Sequence, residues 1–363
     1  MYIYRLKNSF IILAVHVDDM LIALNSKSKL TEMKQALGKW FKVKDLGEVK
    51  FLLGIEVICD REAGTIKLSQ RGYIDQLLKR FNLQGVKPAT TPLSSSVRLT
   101  QDDCPTTDDG RTDMADVPYA SLIGALMYAA ISTQLDIAFA VGALSRFLGN
   151  PGRKHWNEAK QVLSYLKGTS HYAIRYLSDT SPIGKVTGYS CGVAMKPTGG
   201  HIKGFSDSDW AGCVDTRRST SGFIWIMSGG AICWRSKLQA IVALLSTEAE
   251  YVGATPAVQE VVWLRDLLQE LGVADATPSL LNMDNRGAVS LTCGTGDSNR
   301  TKHINIHYHF IRSHVEDKHI EVQFLPTDEM TADILTKNLS CTKHEYFIKK
   351  LGMVSRLSGS DRI

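Results

Sequence analysis

G-F-S-D-S-D-W-A-G, residues 204–212, is the stretch whose reading decides the fold. It is a short β-prone run closed by a Gly-containing turn. Alternation along a strand puts Asp207 and Asp209 on one face. A carboxylate on a buried strand face needs a partner or a metal, because leaving it alone in apolar surroundings is costly. Three later acids stand at junctions where they can join it. Glu250 lies early in a helical run (S-T-E-A-E-Y-V), Asp284 ends an apolar strand (L-L-N-M-D-N-R), and Asp333 starts another helix (M-T-A-D-I-L-T-K). Carboxylates converging from such junctions make an oxygen-donor site suited to Mg²⁺. Hard cations held between carboxylates serve phosphodiester cleavage.

The motifs around these acids extend the pattern. F-S-D-S-D-W-A-G, R-R-S-T-S-G-F, S-K-L-Q with S-T-E-A-E-Y, and T-A-D-I-L-T-K follow one another over residues 200–340. Together they resemble the ribonuclease H domain of copia-type LTR retrotransposon Pol polyproteins. The resemblance implies catalytic and metal-holding roles for Asp207, Glu250, Asp284 and Asp333, with Asp209 set aside as a ligand. It implies two Mg²⁺ ions, with Mn²⁺ as the alternative. Its reaction is hydrolysis of the RNA strand of an RNA–DNA hybrid, with water attacking in line at phosphorus.

Outward from this stretch, the local signals fill in a sheet. Residues 202–207 read as a first strand. Residues 221–228 and 231–236 flank Gly229-Gly230, a two-residue hairpin turn. A helix is predicted over 247–271, where Thr247 and Glu250 fit the capping box and offer Glu250 a purely structural role. Pro256 interrupts that helix, and an interior proline costs about 3 kcal/mol, enough to kink the chain beside Glu250. Residues 279–283 form a buried strand delivering Asp284, which otherwise reads as a plain N-cap. A basic helix is predicted over 300–315, a strand over 320–325, and a helix over 327–337.

Within the basic helix, the spacing of His303, His307 and His314 invites a zinc reading, but no Cys or Glu completes a signature with them. The run R-T-K-H-I-N-I-H-Y-H-F-I-R resembles the corresponding family segment. Contact with hybrid phosphates through Arg300, Lys302, His303 and Arg312 is the preferred expectation. The loop before the last helix, L-P-T-D-E-M, has no histidine.

Toward the N-terminus, F-I-I-L-A-V-H-V-D-D-M-L-I-A-L (residues 10–24) is a hairpin with Asp18 and Asp19 at its tip. On spacing alone a polar turn between strands explains the pair. The run also resembles the Y-V-D-D-M hairpin of copia-type reverse transcriptases, with His16 in place of the usual Tyr. Residues 46–57 and 66–81 resemble the following strands and the entry to the thumb. The third polymerase aspartate lies upstream in that family, so the expectation is a vestigial pair and no polymerase activity from this chain alone. Residues 94–116 read as an exposed linker, and 119–130, 135–148 and 155–167 as connection helices. Gln134 and Leu135 stand where the family carries Arg-Pro. Lys154, His155, Lys160 and Lys167 read as a solvated helix face, with phosphate contact as the second reading.

The whole is expected to be α/β. A ribonuclease H-like mixed five-stranded sheet with flanking helices follows a truncated reverse-transcriptase palm and thumb (1–93) and a linker with helical connection (94–200). The ribonuclease H domain takes 201–340 and a C-terminal tail 341–363. The chain's 363 residues are 44% hydrophobic, enough for a packed core. A net charge of +5 is compatible with a polyanionic partner without requiring one. Seven cysteines without a C-x-x-C pair argue against a disulfide framework. No apolar run reaches about 18 residues, so the expectation is an intracellular protein with no membrane partner. The cytoplasm (in a virus-like particle) or the nucleus is its place within an active element. Oligomeric state is not legible. Two rivals are a non-catalytic remnant with residual nucleic-acid affinity, and a transposase or integrase, whose D, D, E order differs from the D, E, D, D here.

Overall fold

The computed structural model describes residues 1–6, 9–178, 201–273, 277–292 and 305–355. The first elements are β1 (Tyr2–Leu6), β2 (Ser9–His16), β3 (Asp19–Leu24), α1 (Lys27–Trp40), β4 (Phe51–Leu52), β5 (Ile55–Asp60), β6 (Thr65–Ser69) and α2 (Arg71–Arg80). There follow α3 (Asp108–Ala115), α4 (Tyr119–Ser132), α5 (Ala138–Ser145), α6 (Arg153–Thr169) and β7 (Tyr172–Leu177). The remainder holds β8 (Lys203–Asp209), β9 (Thr220–Met227), β10 (Gly230–Leu238), α7 (Ser246–Leu271), β11 (Ser279–Met283) and α8 (Arg286–Thr292). Last come α9 (Asn305–Glu316), β12 (Ile320–Phe324), α10 (Cys341–Lys350) and β13 (Met353–Ser355).

The sheet that carries the acids has the order β10-β9-β8-β11-β12. Its first three strands form an antiparallel meander, and β11 runs parallel to both β8 and β12. This is the mixed five-stranded, ribonuclease H-like sheet expected from the sequence. The hairpin turn falls one residue earlier than predicted. Met227 pairs with Gly230, so Ser228 and Gly229 are the turn residues, both at positive φ (53° and 79°). A type I′ turn needs positive φ at both central positions, and here a serine adopts it at one of them.

Both sheet faces are covered. On one, Phe223, Trp225, Leu281 and Met283 pack against Tyr251, Ala254, Ala257, Val258 and Val261 of α7. The Trp225 indole N–H donates to the Ala257 carbonyl at 3.0 Å, so the largest buried side chain keeps its polar atom satisfied. On the other, Phe205 and Ile224 join a core built from α2, α4, α5, α6 and α10. α7 continues through Pro256 as one helix.

A second sheet of antiparallel pairs, β13-β7-β6-β5-β4, stitches sequence-distant pieces together. Residues 341–355, read from sequence as tail, supply α10 and β13 to it and to the shared core. The linker reading of 94–116 misses α3, whose Thr107 N-cap hydroxyl accepts from the Gly110 N–H at 3.3 Å. On α6 the solvated-face reading fails for His155, while Lys154 is exposed as expected and Lys160 and Lys167 are half-buried. His155 is fully buried, stacks on Phe147 at 4.0 Å and accepts from the Gly152 N–H. Lys154 pairs with Asp103, and Lys167 donates to the Gln84 and Val86 carbonyls.

Strands β1, β2 and β3 form a third sheet. α1, which follows it, has no buried residue. The Arg5 guanidinium donates to the Glu270 carbonyl at the end of α7.

Candidate metal centre

Register brings the first two acids together. β11 pairs with β8 as Leu280 with Lys203, Leu281 with Gly204, and Asn282 with Phe205. Carrying that register two places onward sets Asp284 level with Asp207, at the carboxyl ends of neighbouring parallel strands. The Asn282 amide donates to the Gly204 carbonyl at 2.8 Å and pins this alignment. Glu250 enters from the first turns of α7. That helix approaches closely because Gly253 lies over the sheet, where an added Cβ would stand 2.2 Å from the Ser208 hydroxyl oxygen. Carboxylate oxygens of Asp207, Glu250 and Asp284 lie within 4.8 Å of one another.

The capping roles that the sequence offered two of these acids fall to other residues. The N-cap of α7 is Leu245, with no side-chain cap, so the Thr247–Glu250 box does not form. Glu248 instead accepts from the Leu244 N–H at 2.7 Å. At α8 the Asn285 side chain accepts from the Ala288 N–H at 3.0 Å. Asp284 is left free to accept from the Thr327 hydroxyl at 2.8 Å.

Electrostatics mark the cluster as short of positive charge. Burial raises the Asp207 carboxyl to about 6, against the opposing pull of Lys337, and Asp333 and Asp284 push it further up. Burial also raises Glu250 well above the ordinary carboxylate range, helped by Asp207 and Asp284. One Glu250 oxygen, Oε2, is buried without a hydrogen-bond partner. Oxygen-only donors, crowded carboxylates and an unpartnered buried oxygen fit a hard divalent cation.

Asp333 is placed differently. The predicted helix over 327–337 is instead two 3₁₀ turns, Thr327–Glu329 and Thr331–Leu335. They are separated at Met330, fully buried and extended (ψ 94°), whose insertion into the core stops helical continuation. The second turn reaches the sheet because Gly222 lacks a Cβ, which would stand 2.6 Å from the Leu335 Cβ. Asp333 is fully buried and neutralised by two lysines, Lys337 at 2.9 Å and Lys343 at 2.8 Å. Lys337 also lies 3.6 Å from Asp207, so an ammonium stands between the two acids. Burial opposes the charge on Lys337, but Asp207 and Asp333 hold its pKa above the ordinary lysine value. The Thr336 hydroxyl donates to Asp207. Thr336 and Lys337 are the last two letters of T-A-D-I-L-T-K, where an i+3 and i+4 spacing from Asp333 was the available signal. Lys343 and Thr327 had none.

The remaining candidates are scattered. Asp209 shares the strand face of Asp207, but its carboxylate lies against Gly212 and outside the cluster. Arg312 pairs with Glu316 at 2.8 Å and donates to the Tyr308 hydroxyl at 3.1 Å. Arg300, Lys302 and His303 lie outside the described residues. Asp18 sits in the Val17–Asp18 turn and Asp19 opens β3 opposite His16, both exposed. Among the described residues no third acid joins them in a metal-competent group.

Known proteins similar to this chain include retroelement sequences and ribonuclease H structures. The family described as reverse transcriptase (RNA-dependent DNA polymerase) matches residues 1–95. The retrovirus-related Pol polyprotein from transposon TNT 1-94 of Nicotiana tabacum is 41% identical over 349 residues, covering 96% of this chain and 25% of that protein. The chain thus spans about a quarter of the length of that relative. The putative transposon Ty5-1 protein YCL074W of Saccharomyces cerevisiae is 32% identical over 252 residues, covering 69% of this chain and 74% of that protein. Among solved structures, LC11-RNase H1 in complex with RNA/DNA hybrid is 14% identical, covering 37% of this chain and 93% of that one, with a TM-score of 0.31.

Proposed function

The chain belongs to the copia-type retrotransposon Pol polyproteins, and on that premise we propose that it hydrolyses the RNA strand of RNA–DNA hybrids. The reaction is assigned to the cluster of Asp207, Glu250 and Asp284. The observation that carries this reading is the convergence of the three carboxylates, with a buried Glu250 oxygen lacking a partner. A Mg²⁺ or Mn²⁺ ion held there would neutralise charge on the phosphate and acidify water.

The chain's own groups do the positioning. Thr336 and Thr327 donate to Asp207 and Asp284 and fix the direction of each carboxylate. Lys337 balances the charge between Asp207 and Asp333. For Asp333 to serve a second ion it must first release Lys337 or Lys343, so the three-acid group is the primary site and Asp333 the conditional one. Hybrid choice would rest on groove shape and the 2′-OH rather than on base sequence. Arg312, with Arg300, Lys302 and His303 from the same run, would meet the phosphate backbone. Asp18 and Asp19, exposed and outside any acid group among the described residues, take no part in this reaction. The setting would be a virus-like particle in the cytoplasm, or the nucleus.

The test is cleavage of a labelled RNA–DNA hybrid by the purified chain with Mg²⁺, beside duplex DNA and duplex RNA. Cleavage confined to the RNA strand of the hybrid is expected. A folded chain that binds hybrid without cutting it would make this a non-catalytic remnant.

A further inference from the structure

A second group of ligand atoms lies at the other end of β12 from Asp284 and Thr327. α9 closes with Lys318 in the left-handed region (φ 57°), and the His319 N–H returns to the His314 carbonyl at 2.9 Å. In this closure the residue after the left-handed one folds over the residue five before it, where an apolar contact ordinarily seals the helix end. Here both positions are histidine. Their Nδ1 atoms stand 2.9 Å apart. A carboxylate oxygen of Asp317 completes a set whose atoms all lie within 4.8 Å of one another.

We propose that His314, Asp317 and His319 form a binding site for a borderline divalent transition metal of the Zn²⁺ kind. Two imidazoles and one carboxylate are a donor set for Zn²⁺, Co²⁺, Ni²⁺ or Cu²⁺, whereas Mg²⁺ prefers the all-oxygen cluster. Two nitrogens bound tetrahedrally at about 2.05 Å from a metal stand about 3.3 Å apart. The rings therefore need to open by only a few tenths of an ångström.

Without metal, one Nδ1–H donates to the other Nδ1. Loading requires both rings to carry their proton on Nε2, so one proton moves within one ring and none is released from two neutral imidazoles. The backbone holds both partners in place. Phe310 sets its ring against His314 at 4.6 Å and 77°. The His319 carbonyl accepts from the Ser279 N–H at 3.0 Å, tying the site to β11. Asp317 is exposed, leaving the fourth coordination position open to solvent.

Titrating Co²⁺ into the full chain under excess Mg²⁺, and recording visible absorption, tests this. The expected result is one equivalent bound with a d–d band. The band should survive Asp284→Asn and vanish in His319→Ala, and Zn²⁺ should displace it. Asp317→Asn, at an exposed position, should weaken binding about tenfold while the fold persists, and it carries the test if His319→Ala unfolds. No band in the wild type, or an undiminished band in folded His319→Ala or Asp317→Asn, overturns the proposal and leaves a hydrogen-bonded histidine pair that stops a helix.

Discussion

Two aspartate pairs sit at strand ends in this chain, and the protein treats them differently. Asp18 and Asp19 occupy the tip of an exposed hairpin, and among the described residues no further acid is gathered beside them. Asp207 and Asp209 end the central strand of a sheet covered on both faces, and Asp207 meets Glu250 and Asp284 there. The same residue type at the same kind of position therefore becomes a candidate metal ligand only where neighbouring elements remove water and bring more carboxylates. Asp209 sharpens the lesson, since two residues along the same strand its carboxylate already lies outside the group.

The largest effect separating the two regions is expected in catalysis. Asp284→Asn should lower Mg²⁺-dependent hybrid cleavage about a thousandfold. The double substitution Asp18→Asn with Asp19→Asn should leave the rate unchanged in the same gel assay. Equal losses in both would erase the distinction.

The next effect is on stability against pH. A carboxyl raised from 3.8 to about 6 binds more protons folded than unfolded, so stability falls as pH rises through that window. For Asp207 the loss is about 3 kcal/mol by pH 7. Glu250 is shifted in the same direction. Urea unfolding at several pH values should show the metal-free protein more stable near pH 4.5 than at pH 7 from these groups, an assay range of about pH 4–7 chosen to bracket the window. Saturating Mg²⁺ should offset the loss. A stability that rises over this window would contradict the buried, carboxylate-rich cluster.

Two glycines give the smaller contrasts. Gly253→Ala places a methyl 2.2 Å from the Ser208 hydroxyl oxygen and should destabilise by about 2 kcal/mol through overpacking. Gly38 lies in α1 with nothing within 4 Å of an added Cβ. Gly38→Ala should therefore stabilise by up to about 1 kcal/mol through helix propensity. Chemical denaturation of both variants measures the pair.

Much of the acid-bearing sheet was legible because its strands carry strong local patterns. Residues 279–283 match β11 end for end, and 320–325 overruns β12 by one residue. The hairpin turn slipped by one place because a serine, rather than the second glycine, takes positive φ. The last helix failed because the buried Met330 splits it, a tertiary cause that local periodicity does not contain. The second sheet was not legible either: β6 meets β7, and β7 meets β13, across long separations of short strands. At the site, motif and spacing pointed to Asp207, Glu250, Asp284 and Asp333 alike. Only the fold distinguishes three mutually close acids from a fourth held by Lys337 and Lys343.

The most direct test of the central claim is Mn²⁺ binding followed by the electron paramagnetic resonance signal of the free ion. The account predicts that the wild type and the Asp18→Asn, Asp19→Asn variant deplete the free signal alike. Asp284→Asn should bind at least about tenfold more weakly. Binding that survives Asp284→Asn but is lost with Asp18 and Asp19 would contradict the account.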